Sequence, residues 1–330
     1  MVRLRRMKKR RKNVVVIGGG TGTFTVLSGL KKYPLNLTAI VTMSDDGGST
    51  GTLRDELGVL PPGDVHQSLV ALSSSDQLMR GLMSYRFARG SLKGHSFGNL
   101  LLSALEIVTG GFDSAVEKAS DILRTKGRVI PATLDKVTLV AKVGRRTIKG
   151  EQHIQKTKLN GTLKRLWLEP HGRANPKALV ELRKADAIVF APGNLYASIL
   201  PDLLVRGIPE AIRKSRAKKL LICNLMTKVE HTRNFTVADY TEIIERYLGA
   251  PVDYVIYNNK LPEKNLLKRY AREGDTPTSW EKLPQNRVLV GAPLASRRPP
   301  TIDKADALQD ERFFRHDSGR LAKTIVRLID

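Results

Sequence analysis

The sequence predicts an α/β protein with a Rossmann-like, mostly parallel sheet, helices on both faces and a small antiparallel insertion. Three observations lead there. Short β-branched runs alternate with helical spacing, the first run ends in the glycine cluster Gly18-Gly19-Gly20-Thr21-Gly22, and a stretch of alternating apolar residues interrupts the order between about 129 and 169.

The first twelve residues, MVRLRRMKKRRK, carry eight of the 56 basic residues and form a charge block set apart from the fold. The reading is a disordered, solvated tail over 1–12 followed by one α/β domain over 13–330. The overall charge of +24 attracts nucleic acid or anionic lipid. No aromatic RNA-binding motif, zinc-finger spacing or glycine-flanked loop accompanies it, so a specific contact of either kind through the tail is not expected. The lone Cys223 sits in the apolar run Leu220-Leu221-Ile222-Cys223 and supports no internal disulfide. No apolar stretch reaches the roughly 20 residues that span a bilayer, and no secretory segment opens the chain; the expected location is the cytoplasm.

Asn13 to Ile17 reads as a buried parallel strand. Phe24 to Tyr33 has helical spacing and stops before Pro34, and a second strand runs from Leu37 to Met43. The strand ends in Ser44-Asp45-Asp46, and Gly47-Gly48-Ser49-Thr50-Gly51 follows and reads as a flexible second glycine loop. Helical patterns fill Asp64 to about Arg124, including Phe97 to Val108. Lys136 to Val143 and Leu163 to Leu168 read as insertion strands, with turns at Gly144, Gly150 and Gly161. Strands return at Ala187 to Ala191, Lys219 to Cys223 and Asp253 to Tyr257, and a helix from about Ser318 to Ile329 closes the chain.

In such a sheet, ligands sit at the carboxyl ends of the strands where the strand order reverses. The ends carry Gly18 to Gly22, Asp45-Asp46-Gly47, Gly193-Asn194 and Asn224, all small or polar. The loop Gly18-Gly19-Gly20-Thr21-Gly22-Thr23 allows backbone N–H groups to approach a phosphate at a helix N-terminus. A dinucleotide fingerprint wants glycine where Thr23 stands, and the lysine of a P-loop is missing, so NAD and ATP are not the expected ligands. Asp45, Asp46 and Asp64 are candidate Mg²⁺ ligands, because Mg²⁺ favours one or two carboxylates plus substrate oxygens. Asp64 can equally cap a helix. Gly47, Gly48 and Ser49 are candidates for a second phosphate contact. Ser96 reads as the N-cap of the Phe97 helix, with His95 and Asn99 beside it in a further anion-binding group. His95 is either an acid/base or a structural histidine.

Taken together, VVVIGGGTGT, SDDGGSTGTLRDELGVLPPGD, GHSFGNLLLSAL, ADAIVFAPGNLYASILPDLL, KKLLICNLMT and FFRHD resemble the gluconeogenesis factor (YvcK-like) family within the CofD-like 2-phospho-L-lactate transferase superfamily. The resemblance runs from about Val14 to the last helix. It implies a UDP-sugar ligand such as UDP-N-acetylglucosamine and a regulatory role in central carbon metabolism, cell shape and envelope synthesis. It also implies a regulated partner protein and leaves room for a homo-oligomer. Tyr270, in an RYAREG segment, and Arg315, in the RHD segment, match positions that the family uses for the sugar nucleotide. The alternative it implies is a Mg²⁺-dependent phospholactyl transfer from a nucleotide diphosphate. The chain departs from the family pattern at Thr52, at Val65-His66-Gln67 and over Lys228 to Thr232.

Overall fold

The structure is a computed structural model, and it describes residues 10–159, 162–296 and 314–330. In chain order its elements are β1 (Asn13–Ile17), α1 (Gly20–Leu30), β2 (Asn36–Val41), α2 (Gly48–Leu57), α3 (Gly63–Leu72), α4 (Gln77–Ser84), α5 (Phe97–Thr109) and α6 (Phe112–Ile122). Then come β3 (Arg128–Pro131), β4 (Thr138–Val143), β5 (Arg146–Lys149), α7 (Glu151–Gln155), β6 (Leu163–Glu169), α8 (Pro176–Lys184) and β7 (Ala187–Phe190). A π-helical turn, Leu195–Ile199, leads into α9 (Leu200–Leu204) and α10 (Ile208–Lys214). The remainder is β8 (Lys218–Ile222), α11 (Val237–Leu248), β9 (Tyr254–Asn258), α12 (Lys264–Glu273), β10 (Val288–Ala292) and α13 (Ser318–Ile329).

Seven strands make one sheet in the order β10-β9-β8-β7-β1-β2-β3, and every neighbouring pair is parallel. β1 shows why its sequence is an unbroken apolar run. Val14 and Val16 enter the core on one face, Val15 and Ile17 the core on the other, so neither face admits a polar residue. The chain moves from β1 outward through β2 to β3, then returns to the other side of β1 with β7 and moves outward again. The strand order therefore reverses between β1 and β7, and the loops after these two strands border the crevice that such a reversal opens.

The insertion is a three-stranded antiparallel sheet in the order β5-β4-β6. Its Leu139, Ala141, Leu166 and Leu168 join the same buried cluster as Ile17, Ile188 and Phe190, so it packs onto the main sheet and has no separate core. It begins later than the sequence pattern suggests: Val129 and Ile130 belong to β3, the edge strand beside β2.

Three further readings change. α1 starts inside the glycine loop at Gly20, ahead of Phe24. The expected flexible loop at Gly47 to Gly51 is instead the start of α2, where a Cβ on Gly51 would lie 2.2 Å from the Asp46 carbonyl oxygen. β10 extends the sheet where no strand was expected. Of the basic tail, Arg10 is fixed by an ion pair with Asp186 at 2.5 Å, and Asn13 N–H donates to the same carboxylate at 2.7 Å. The rest of the tail, 1–9, and the turn at Gly161 lie outside the described residues. Among the described residues, no helix is long and apolar enough to cross a membrane.

Candidate functional site

The glycine loop is shaped by what crowds it. Gly19 is the N-cap of α1, and a Cβ there would lie 2.0 Å from Asp64 Oδ2; one on Gly22 would lie 1.6 Å from the Pro192 carbonyl oxygen. Glycine is thus required at 19 to admit the acid and at 22 to bring the loop after β7 against α1. No acidic residue occupies the first turn of α1, and its Gly20 N–H donates to Asp64 Oδ1 at 2.9 Å. The positive end of the helix dipole faces the crevice with one of its N–H groups already spoken for by a carboxylate.

A crevice of about 280 Å³ opens here, with Gly19, Gly20, Thr21 and Gly22 on one side. Gly193, Asn194 and Asn224 line it from the ends of β7 and β8, and Tyr270, Arg315 and His316 line it from the C-terminal part of the chain. Nine of the sequence-predicted residues therefore converge. Their roles differ, however. The Asn224 amide is engaged twice, accepting from Gly193 N–H at 3.0 Å and donating to the Gly193 carbonyl at 2.8 Å, which locks the loop after β7 to the end of β8. Asn194 Oδ1 accepts from Tyr196 N–H at 3.3 Å and caps the π-helical turn. Tyr270 is buried with Leu225 and Phe314, and its hydroxyl accepts from Phe314 N–H at 3.0 Å, so it seats the segment that carries Arg315.

Gly18 and Thr23 do not line this crevice. Thr23 is buried, because α1 begins at Gly20 and its fourth residue already faces the core. None of Gly47, Gly48, Ser49, His95, Ser96 and Asn99 lines the crevice; Ser49, His95, Ser96 and Asn99 form a separate polar group between the N-termini of α2 and α5, with Gly47 and Gly48 opening α2. Ser49 Oγ and His95 Nδ1 lie 3.1 Å apart, and Asn99 Nδ2 donates to Ser49 Oγ at 3.3 Å. Ser96 does cap α5, accepting from Asn99 N–H at 3.2 Å.

The acids divide as well. Asp46 turns away toward the insertion and caps α7, accepting from Gln152 N–H at 2.8 Å. Asp45 accepts from Gly47 N–H at 2.9 Å, and burial raises its carboxyl above the usual range, with Asp46 adding to the rise. Asp64 is enclosed by protein although part of its surface remains accessible; burial, then the charge of Asp45, lift it to about 7. Two acids that the motifs did not single out belong to the same region. Glu151 on α7 is buried and raised by burial and by Asp45 and Asp64, and Asp202, fully buried in the apolar α9, is raised by burial and by Asp64. Neither Asp202 oxygen has a hydrogen-bond partner among the described residues. The signal for Asp202 is an aspartate inside the run Ile199-Leu200-Pro201-Asp202-Leu203-Leu204, where an acid has no reason to be unless it is buried.

Among the described residues, no three histidine, cysteine or carboxylate side chains converge as a metal cage. Asp45, Asp46 and Asp64 therefore do not act as one triad, because Asp46 is committed to α7. Asp45 and Asp64 remain as a pair of hard oxygen donors whose raised pKa values a cation would reverse, which fits Mg²⁺ completed by substrate oxygens.

A parallel sheet whose order reverses beside a glycine turn, with buried carboxylates beneath it, defines an α/β protein that carries its ligand crevice at the strand-order switch. The family model for 2-phospho-L-lactate transferase CofD matches residues 14–292. A relative from Thermotoga maritima is 41% identical over 321 residues, covering 96% of this chain and 98% of its own. The gluconeogenesis factor of Bacillus subtilis is 38% identical over 320 residues, 96% of this chain and 98% of that protein. A crystal structure of a UPF0052 family member from Bacillus halodurans superposes with a TM-score of 0.87 at 35% identity, over 97% of this chain and 100% of that one. The chain belongs to the CofD family, in its gluconeogenesis factor branch.

Proposed function

We propose that the crevice holds a sugar nucleotide of the UDP-N-acetylglucosamine kind, and that the chain regulates gluconeogenesis, with reach into cell shape and envelope synthesis. One observation carries the ligand: the N-terminal turn of α1, free of acidic residues, shares a cavity with Arg315 and Tyr270. A diphosphate gains hydrogen bonds from helix N–H groups and charge from a guanidinium, while a tyrosine edge suits a base or sugar ring. The metabolic part is supported by the name of the Bacillus subtilis relative. Binding acts by changing the activity of a partner protein. Titration of UDP-N-acetylglucosamine into wild type and Arg315→Ala tests it: we expect about a tenfold or greater loss in the variant. Equal affinity, or no binding by either, refutes the arrangement.

A second reading is favoured by the Asp45 and Asp64 pair and by the family model. Here the protein moves a phospholactyl-type group from a nucleotide diphosphate, and Mg²⁺ held by the two aspartates supplies charge neutralisation for the leaving diphosphate. Loss of turnover in Asp64→Ala with nucleotide binding retained supports this. Absence of product with both GDP- and UDP-linked donors excludes it.

A further inference from the structure

The insertion keeps an open edge. β5 stands at the end of the order β5-β4-β6 and, among the described residues, pairs only with β4. Gly150 N–H donates to the Leu139 carbonyl at 2.8 Å, and in an antiparallel ladder the bonded positions alternate. With Ile148 opposite Ala141 and Arg146 opposite Val143, those residues bond inward. The N–H and C=O groups of Thr147 and Lys149 then face outward.

That edge is one wall of a groove of about 970 Å³, and the chain from His153 to Lys158 is the other. Arg146, Lys149, His153, Lys156 and Lys158 line it, and among the described residues no carboxylate does. Lys149 reaches Glu169 at 2.7 Å on the sheet face, yet its side chain stays largely exposed. Arg146, Lys156 and Lys158 are exposed too.

Each candidate occupant meets this chemistry differently. A second copy of the same edge would bring like charges together, which is how lysines deter edge-to-edge pairing. A nucleic acid strand would satisfy the cations and leave the backbone ladder unmet. An acidic peptide in extended form satisfies both, since its backbone completes the ladder while alternate side chains point toward one wall.

We propose that the outer edge of β5 is a docking site for an acidic, extended segment of a partner protein, which adds as a strand and sets its carboxylates against Arg146, Lys156 and Lys158, while Lys149, three positions on from Arg146, points to the opposite face. The site does not depend on what the crevice binds. It lies next to the crevice all the same, because α7 and its continuation supply both walls: Gln155 lines the crevice, while His153 and Lys156 line the groove.

The test uses the full chain and a fluorescent peptide of alternating Glu and Thr, read by anisotropy. Binding should weaken as salt rises, and should fall about tenfold or more in Lys156→Glu/Lys158→Glu, whose thermal transition serves as the check on folding. The same peptide with alternate amides N-methylated should lose binding to a similar degree, a readout that needs no variant to fold. No binding of the peptide by wild type, or equal binding of the methylated peptide, overturns strand addition. Equal binding by the charge-reversed variant overturns the role of the cations. Tighter binding of a single-stranded oligothymidylate, lost in that variant, assigns the groove to nucleic acid and overturns the proposal.

Discussion

Replacing Asp64 by asparagine should stabilise the ligand-free protein at alkaline pH. The fold holds this carboxyl at about 7 against an ordinary 3.8, chiefly through burial and secondarily through Asp45. A group raised in this way binds more protons folded than unfolded between the two values. Stability is therefore highest below about 4, falls as pH rises through that window and levels off above 7. The interval corresponds to a ceiling of about 4 kcal/mol. Asp64 keeps some accessible surface, and relaxation reduces such penalties, so we expect about 2 kcal/mol. Asparagine keeps an oxygen for the Gly20 N–H while removing the charge, which separates ionisation from shape. Urea unfolding of both proteins in EDTA, from pH 4 to 8.5, measures the difference. The curves should meet near pH 4, diverge to about pH 7 and then run parallel. A constant offset across the range, or a variant no more stable than wild type at pH 8, would refute the reasoning.

Three more outcomes follow from the same geometry. Gly22→Ala should destabilise by about 1–3 kcal/mol and weaken ligand binding, because its methyl group meets the Pro192 carbonyl; an unchanged melting temperature would contradict this. Asn224→Ala should cost about 1–3 kcal/mol by stripping Gly193 of both partners, and should loosen hydrogen-exchange protection after β7 while sparing β2. His66 and His316 are both depressed to about 4, first by burial, so they contribute stability that is present above about 6.5 and lost as pH falls toward 4. Imidazole NMR signals should show both rings neutral at pH 5.5, and protonated rings there would contradict their placement.

The parts of this fold that the sequence makes legible are those where local chemistry and tertiary demand agree. β1 reads as a two-sided buried strand and GGGTG as a close-approach turn, of which Gly20, Thr21 and Gly22 already form the first turn of α1. The loop at Gly47 to Gly51 misleads because glycine usually signals freedom, whereas Gly51 is needed for contact with the Asp46 carbonyl at the start of a helix. β10 is hidden for the opposite reason: Val288 and Leu289 are exposed on an edge, so the pattern of a buried strand is missing. In the site, Tyr270, Arg315 and the loop glycines are legible through motifs. The pair of hydrogen bonds between Asn224 and Gly193, the capping of α7 by Asp46 and the buried Asp202 depend on partners 31, 106 and many residues away, which no local pattern encodes. Gly98 makes room for the buried His66 ring, since a Cβ there would lie 2.3 Å from its Nε2, and no local pattern announces that contact either.

α7 is a helix of only five residues, too short to hold a fixed place through its own hydrogen bonds. Its address is set from outside, by Asp46 at its N-terminus and by His231 Nε2 at 3.1 Å from the Ile154 carbonyl. Asp46 follows Asp45 in the chain, and the same helix and its continuation border the cationic groove at His153 and Lys156. This one turn is pinned at its start by a neighbour of Asp45 and runs into the cationic groove wall at its end, so Asp46→Ala removes a fastening of that wall without touching a groove residue.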